Sequence, residues 1–236
     1  MTDSNRRSQL KRVAFYGRTL SEYLMMFGID DLVSLKDYNA VLDCPSGASS
    51  FVAEAARNKI NAIGCDPLFG KDAKFLCEQG EKDIEYVIKR VSETPDHYNW
   101  DFYTSLDMLR DFRKLALRQF IADYDQGIKN RRYVEGRLPK LPFSDNIFDL
   151  VLSGHFLFTY SHKFDYKFIL FSILELLRVS SREVRIYPIQ KSSSEPYEDM
   201  QKLLDTLKGT YGINYNIVDV PFEFQKGSNK MLLLSH

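Results

Sequence analysis

The sequence predicts an α/β fold with a mostly parallel seven-stranded sheet, helices on both faces and a helical insertion. Three observations lead there. Short β-rich runs alternate with longer segments of helical periodicity, the pattern of βαβ units. Two early β runs end in an acid at the mouth of a turn, Asp43 before Pro45 and Gly47, and Asp66 before Pro67. The last two β segments are joined by a connection short enough for an antiparallel pair. At 236 residues the chain suits one domain over 1–236 better than two, with 1–38 as an N-terminal helical cap and 92–132 as the insertion.

Taken in order, Asn39 to Asp43 is the first strand and Ala48 to Asn58 a helix, with Ser49 or Ser50 near its N-cap and Phe51, Ala55 and Ala56 on one face. Ile60 to Cys65 is the second strand, and a crossover helix follows from about Lys71 to Val91. The next strand, Arg132 to Glu135, is more than sixty residues beyond the second. A structureless loop of that length is improbable in a compact domain. Leu106, Leu109, Leu115, Leu117 and Ile121 recur at helical spacing, so Asp101 to Tyr124 reads as an inserted helix. Phe148 to Leu152 is a strand opening into Ser153-Gly154-His155. Lys167 to Val179 is a helix, Glu183 to Tyr187 a strand, Tyr197 to Lys208 a helix, and Ile213 to Val220 and Met231 to Leu234 are the closing strands.

Composition excludes several classes. The 32 basic and 32 acidic residues cancel, so no global field draws the chain to nucleic acid or an anionic membrane. The strongest local exception runs from Lys129-Asn130-Arg131-Arg132 to Arg137 and Lys140. It reads first as a solvated surface and second as a contact for phosphate or an acidic substrate. Cys44, Cys65 and Cys77 lack metal-ligand spacing, and their odd number fits a reducing compartment. Met1 to Arg12 is polar and basic without an apolar core, so no secretory signal is expected there. The densest apolar run, Phe168 to Leu177, is too short to span a bilayer. A cytoplasmic protein is expected. Nothing in the sequence sets its oligomeric state.

The chemistry gathers first at Val41-Leu42-Asp43-Cys44-Pro45-Ser46-Gly47-Ala48-Ser49-Ser50. A buried strand opens into a tight turn and then a helix, which leaves free backbone N–H groups and a positive helix end beside a ligand. Asp66 follows 23 residues after Asp43 at the next strand end. An acid there is placed to accept from ribose hydroxyls. That spacing admits both NAD and S-adenosylmethionine.

A third element separates the two. Leu141-Pro142-Phe143-Ser144-Asp145-Asn146-Ile147-Phe148-Asp149-Leu150-Val151 resembles the "LPF-x-D-x-x-F-D-x-V" segment of small-molecule methyltransferases. With the Asp43 turn and Asp66, the resemblance to class I, Rossmann-like S-adenosylmethionine-dependent methyltransferases covers about residues 39 to 188, and the strand pattern extends it to the C-terminus. The resemblance implies a strand order 3-2-1-4-5-7-6 with strand 7 antiparallel, and S-adenosyl-L-methionine across strands 1 and 2. It implies that Asp43, Pro45 and Gly47 line the methionine part, and that Asp66 holds the ribose with Pro67 and Leu68 beside the adenine. Leu138 would offer backbone contact to the adenine edge, and Ser153, Gly154 and His155 would stand where the methyl group leaves. Two positions depart from the family pattern. Pro45 stands where D-x-G-x-G has glycine, and Arg137 stands where an acid usually accepts from the adenine amino group, which a guanidinium cannot do.

The sulfonium already activates its methyl group, so the protein's part is to align the acceptor and exclude water. His155 is the candidate general base where the acceptor must lose a proton, with Tyr160 and His162 in the next loop as orienters and substrate contacts. No metal set is expected at His155 and His162. Tyr16 and Arg18 are the substrate-binding candidates in the aromatic stretch Phe15 to Phe27, which reads as an amphipathic helix on the core or as a lid. A small-molecule acceptor, methylated on O or N, is expected. A catalytically silent fold acting as a binding or regulatory protein is the first alternative, favoured by Pro45 and Arg137. A nucleic-acid methyltransferase using Lys129 to Lys140 is the second, disfavoured by the absence of an N-P-P-Y-like run after the fourth strand.

Overall fold

The computed structural model describes residues 12–236. The reading of Met1 to Lys11 as lacking a secretory signal lies outside those residues. Seven strands form one sheet: β1 (Val41–Asp43), β2 (Ala62–Asp66), β3 (Tyr133–Glu135), β4 (Phe148–Gly154), β5 (Ser180–Tyr187), β6 (Asn214–Asp219) and β7 (Lys230–Ser235). The order is β3-β2-β1-β4-β5-β7-β6. β7 is antiparallel to both neighbours, and the remaining pairs are parallel. This is the order the resemblance implies, and the fold is the Rossmann-like one of class I methyltransferases.

Six α-helices lie among the described residues: α1 (Leu20–Met26), α2 (Phe51–Arg57), α3 (Ala73–Glu93), α4 (Leu106–Lys129), α5 (Tyr166–Val179) and α6 (Met200–Tyr211). The period-two alternation of the strands divides the core into two layers. Val41, Leu150 and Leu152 face the layer of α1 to α4, whereas Leu42, Val151 and Val184 face α5 and α6. Three helix starts are set by side chains that accept an otherwise unpaired amide: Asp72 from Phe75, Ser105 from Met108 and Asp165 from Phe168. Each such cap contributes about 1 kcal/mol.

Several boundaries differ from the sequence reading. The helix expected from Ala48 begins at Phe51, and the residues before it belong to the turn: Ser49 N–H bonds Ser46 O and Ser50 N–H bonds Arg18 O. Ser50 is the N-cap by position, but its hydroxyl donates to Glu54 instead. The helix expected from Tyr197 runs from Met200 to Tyr211 and stops at Gly212, in the left-handed region. β5 starts directly where α5 ends, at Ser180. Residues 92–132 hold a short 3-10 turn, Pro95–His97, and α4, which lies in the same layer as α3. No helix among the described residues is long and apolar enough to cross a membrane.

Candidate functional site

The site begins with the turn after β1. Gly47 has φ +55°, and a Cβ there would lie 2.9 Å from Tyr16 O, so both conformation and space call for glycine. Its N–H donates to Asp66 Oδ2 at 3.0 Å, while Leu68 N–H donates to Oδ1 at 2.9 Å. The Asp66 carboxylate is thereby locked at the end of β2 with lone pairs to spare. Burial raises it to about 6 against these two bonds and the charge of Arg137.

Asp43 lies deeper. Its carboxylate is fully buried, accepts from Tyr23 OH at 3.0 and 3.1 Å and from Ser46 Oγ at 2.7 Å, and is raised by burial to about 7. The Tyr23 ring stacks on Phe51 at 4.8 Å. Asp43 thus braces the turn and α1 from below.

Residues 14–18 lie over this turn. Gly17 approaches it so closely that a Cβ would fall 1.9 Å from Ala48 O. Arg18 O accepts from Ser50 N–H at 3.0 Å and Ser49 Oγ at 3.2 Å. The strap is anchored from α4 by Arg113, a fully buried guanidinium that donates to Gly17 O at 2.8 Å and pairs with Glu22. Glu22 also accepts from Tyr103 OH and, at 2.8 Å, from Thr19 N–H.

Between strap, turn and sheet lies a cavity of about 490 Å³. One wall is Pro45, Ser46, Gly47, Asp66, Pro67 and Leu68, continued by Gly136, Arg137 and Leu138. The other is Tyr16, Arg18, Gly154, His155, Thr159 and Tyr160, with Phe156, Phe164 and Phe168 beyond. Val87, Val91, Tyr98, Leu109, Phe224 and Gln225 add to the enclosure.

Of the residues singled out in sequence, Pro45, Gly47, Asp66, Pro67, Leu138, Gly154, His155, Tyr16, Arg18 and Tyr160 line this cavity. Three do not. Asp43 is beneath it, Ser153 is enclosed in β4 with a hydroxyl that has no partner among the described residues, and His162 is exposed on the turn Ser161–Lys163. His162 is carried outward by that turn, which Lys163 N–H closes onto Tyr160 O at 2.8 Å. His155 is partly buried, with its Nε2 enclosed, φ +50° and its N–H bonded to Tyr187 O. Burial, helped by Arg18 and Arg113, holds its pKa well below the ordinary value, so the ring is neutral. In the basic segment, Arg132 pairs with Asp123 at 2.6 Å and Arg137 stands at the cavity wall.

Sequence reasoning missed Glu22, Tyr23, Tyr103, Arg113, Thr159 and Ser192. Arg113 had a signal. It falls between Leu109 and Leu117 on the apolar stripe of its helix, where an unpaired cation is costly.

No protein-family model matches the chain. An uncharacterized protein of Methanocaldococcus jannaschii is 33% identical over 227 residues, covering 95% of this chain and 97% of its own. The chain belongs to that protein's family. Among solved structures, PigF with SAH is 15% identical with a TM-score of 0.46, over 92% of this chain and 55% of that one. The magnesium protoporphyrin IX methyltransferase of Synechocystis PCC 6803, with bound SAM, is 11% identical with a TM-score of 0.44, over 92% and 80%. The fold assignment rests on the order and direction of the seven strands themselves.

Proposed function

We propose that the cavity binds S-adenosylmethionine and that the protein transfers its methyl group to a small-molecule acceptor. The observation that carries this reading is Asp66. It is a carboxylate locked at the carboxyl end of β2, at the wall of the cavity, on a parallel sheet whose strand order changes its direction of progression between β1 and β4. Ligands of open α/β sheets bind at such a switch point. Asp66 would hold the ribose hydroxyls, with Pro67, Leu68 and Leu138 about the adenine. The turn Pro45 to Gly47 would take the methionine end, and Asp43 would act from below by fixing that turn through Ser46.

When bound, the cofactor would supply an activated methyl group to the acceptor's lone pair. The chain's residues orient the acceptor, exclude water and, where a proton must leave, receive it. His155 lines the cavity as a neutral imidazole with Nε2 unpartnered among the described residues, and in that state it can accept a proton. Its low basicity suits an acceptor whose proton is acidified as the new bond forms.

Calorimetry with S-adenosylhomocysteine and with NAD tests the cofactor. We expect binding of the first alone, weakened by Asp66→Ala by about 1.5–3 kcal/mol, the scale of hydrogen bonds to a charged group. No S-adenosylhomocysteine binding at millimolar concentration overturns the reading, and full affinity in Asp66→Ala assigns the ribose elsewhere. For the base, His155→Ala should lower turnover of an identified acceptor by about 10²- to 10⁴-fold while cofactor affinity is retained. Undiminished turnover removes His155 from the reaction.

A further inference from the structure

Away from Asp66, the cavity carries a positive charge that the described residues do not balance. Two guanidinium groups, Arg113 and Arg18, share one carboxylate, Glu22. Glu22 is already engaged by Arg113, Tyr103 and Thr19, and it stands 4.0 Å from Arg18 Nε. The Arg18 side chain is only 14% exposed. Its Nε is buried and has no hydrogen-bond partner among the described residues, and its guanidinium lies 5.8 Å from the centre of the Tyr16 ring. A desolvated cation is costly unless an anion meets it.

Three more buried polar atoms without partners among the described residues belong to residues on this cavity: His155 Nε2, Thr159 Oγ1 and Ser192 Oγ. Buried polar groups in folded proteins are nearly always satisfied. Four such atoms on residues lining one cavity mark where a ligand supplies the partners. The wall among them is aromatic, formed by Tyr16, Phe156, Tyr160 and Phe164.

Resting on the methyl-transfer reading, we infer that the acceptor is a planar aromatic carboxylate. Arg18 receives its carboxylate, the aromatic wall takes its ring, and His155, Thr159 and Ser192 meet its other polar substituents. A guanidinium suits this task because its fork matches both carboxylate oxygens and its plane stacks on rings. The cofactor's methionine end also carries a carboxylate, so the test separates the two sources.

The full chain is saturated with S-adenosylhomocysteine and titrated calorimetrically with 4-hydroxybenzoate and, in parallel, with 4-hydroxybenzamide. The benzoate should bind at least tenfold more tightly. Arg18→Gln should weaken benzoate binding by about 10- to 100-fold, leaving the affinities for the benzamide and for S-adenosylhomocysteine unchanged, which also shows that the variant is folded. Arg18→Lys should recover part of the loss, since it keeps the charge without the fork. Three outcomes overturn the inference: equal binding of benzoate and benzamide, binding of neither to the saturated protein, or an Arg18→Gln variant that loses S-adenosylhomocysteine affinity. The last assigns Arg18 to the cofactor's own carboxylate. If the unsubstituted protein fails to bind S-adenosylhomocysteine, it is the methyl-transfer reading that falls, and the benzoate and benzamide pair titrated without it still decides whether Arg18 holds a carboxylate.

Discussion

Asp43 and Asp66, at the ends of β1 and β2, and Glu22, on α1, are buried acids around one cavity, yet they titrate in opposite directions. Burial pushes Asp43 up to about 7 and Asp66 to about 6. The same desolvation acts on Glu22, but the charges of Arg113 and Arg18 overcome it and hold its carboxyl below the ordinary range. The difference lies in the partners. Asp43 has two hydroxyl donors and no paired cation among the described residues, whereas Glu22 has a guanidinium in contact. One wall of the cavity therefore presents the Asp66 carboxylate, held by backbone amides and beside Arg137, suited to ribose hydroxyls. The other is cationic, suited to an anionic acceptor. Such polarity would set the two ligands in one relative order before any specific contact is made.

The largest expected effect breaks the cationic end. Arg113→Met leaves Glu22 buried without its main counter-charge and frees the strap at Gly17 O. Breaking one side of a buried pair costs about 3–5 kcal/mol of stability, which should be read as a lower urea midpoint with an unchanged slope. Glu22→Gln combined with Arg113→Met should recover much of the loss, because no unpaired charge then stays buried. A single variant as stable as the unsubstituted protein would mean that Glu22 reaches water or a proton easily, and the contrast with Asp43 would disappear.

Much of the acidic end is legible in sequence, and little of the cationic end is. The strands show themselves by local β-rich patterning, and the Asp43, Gly47 and Asp66 spacing follows from one βα unit, whose parts are neighbours along the chain. Glu22 and Arg113 are 91 positions apart and meet only because α4 lies in the layer of α1 to α4, which no local pattern encodes. The same holds for Tyr23 on Asp43, which makes that acid a brace below the cavity instead of part of its lining. The start of α2 depends on a distant contact of the same kind, Ser50 N–H with Arg18 O, which no local pattern encodes. His162 follows His155 in the next loop of the sequence, yet the 3-10 turn Ser161–Lys163 leaves it exposed beside the Tyr160 ring, outside the cavity lining.

The smaller expected effect concerns the acidic end and is read against pH. Asp43 in the folded chain is raised to about 7, above the value of an unfolded aspartate near 4. Between those values the folded state binds the extra proton, so stability is greatest at the acidic side and declines as pH rises through about 4 to 7. Below the unfolded value both states are protonated, and above the folded one both are ionised, so the change in stability falls within that window and the loss persists above it. Asp43→Asn removes the titration and keeps a carbonyl oxygen for the Tyr23 and Ser46 hydroxyls. Urea unfolding at intervals from pH 4.5 to 8 should show the unsubstituted protein losing on the order of 2–3 kcal/mol relative to Asp43→Asn across the window. Parallel profiles for the two proteins would place the Asp43 proton equilibrium at its unfolded value, which would require water or a cation beneath the turn and would end the distinction between the two halves of the cavity.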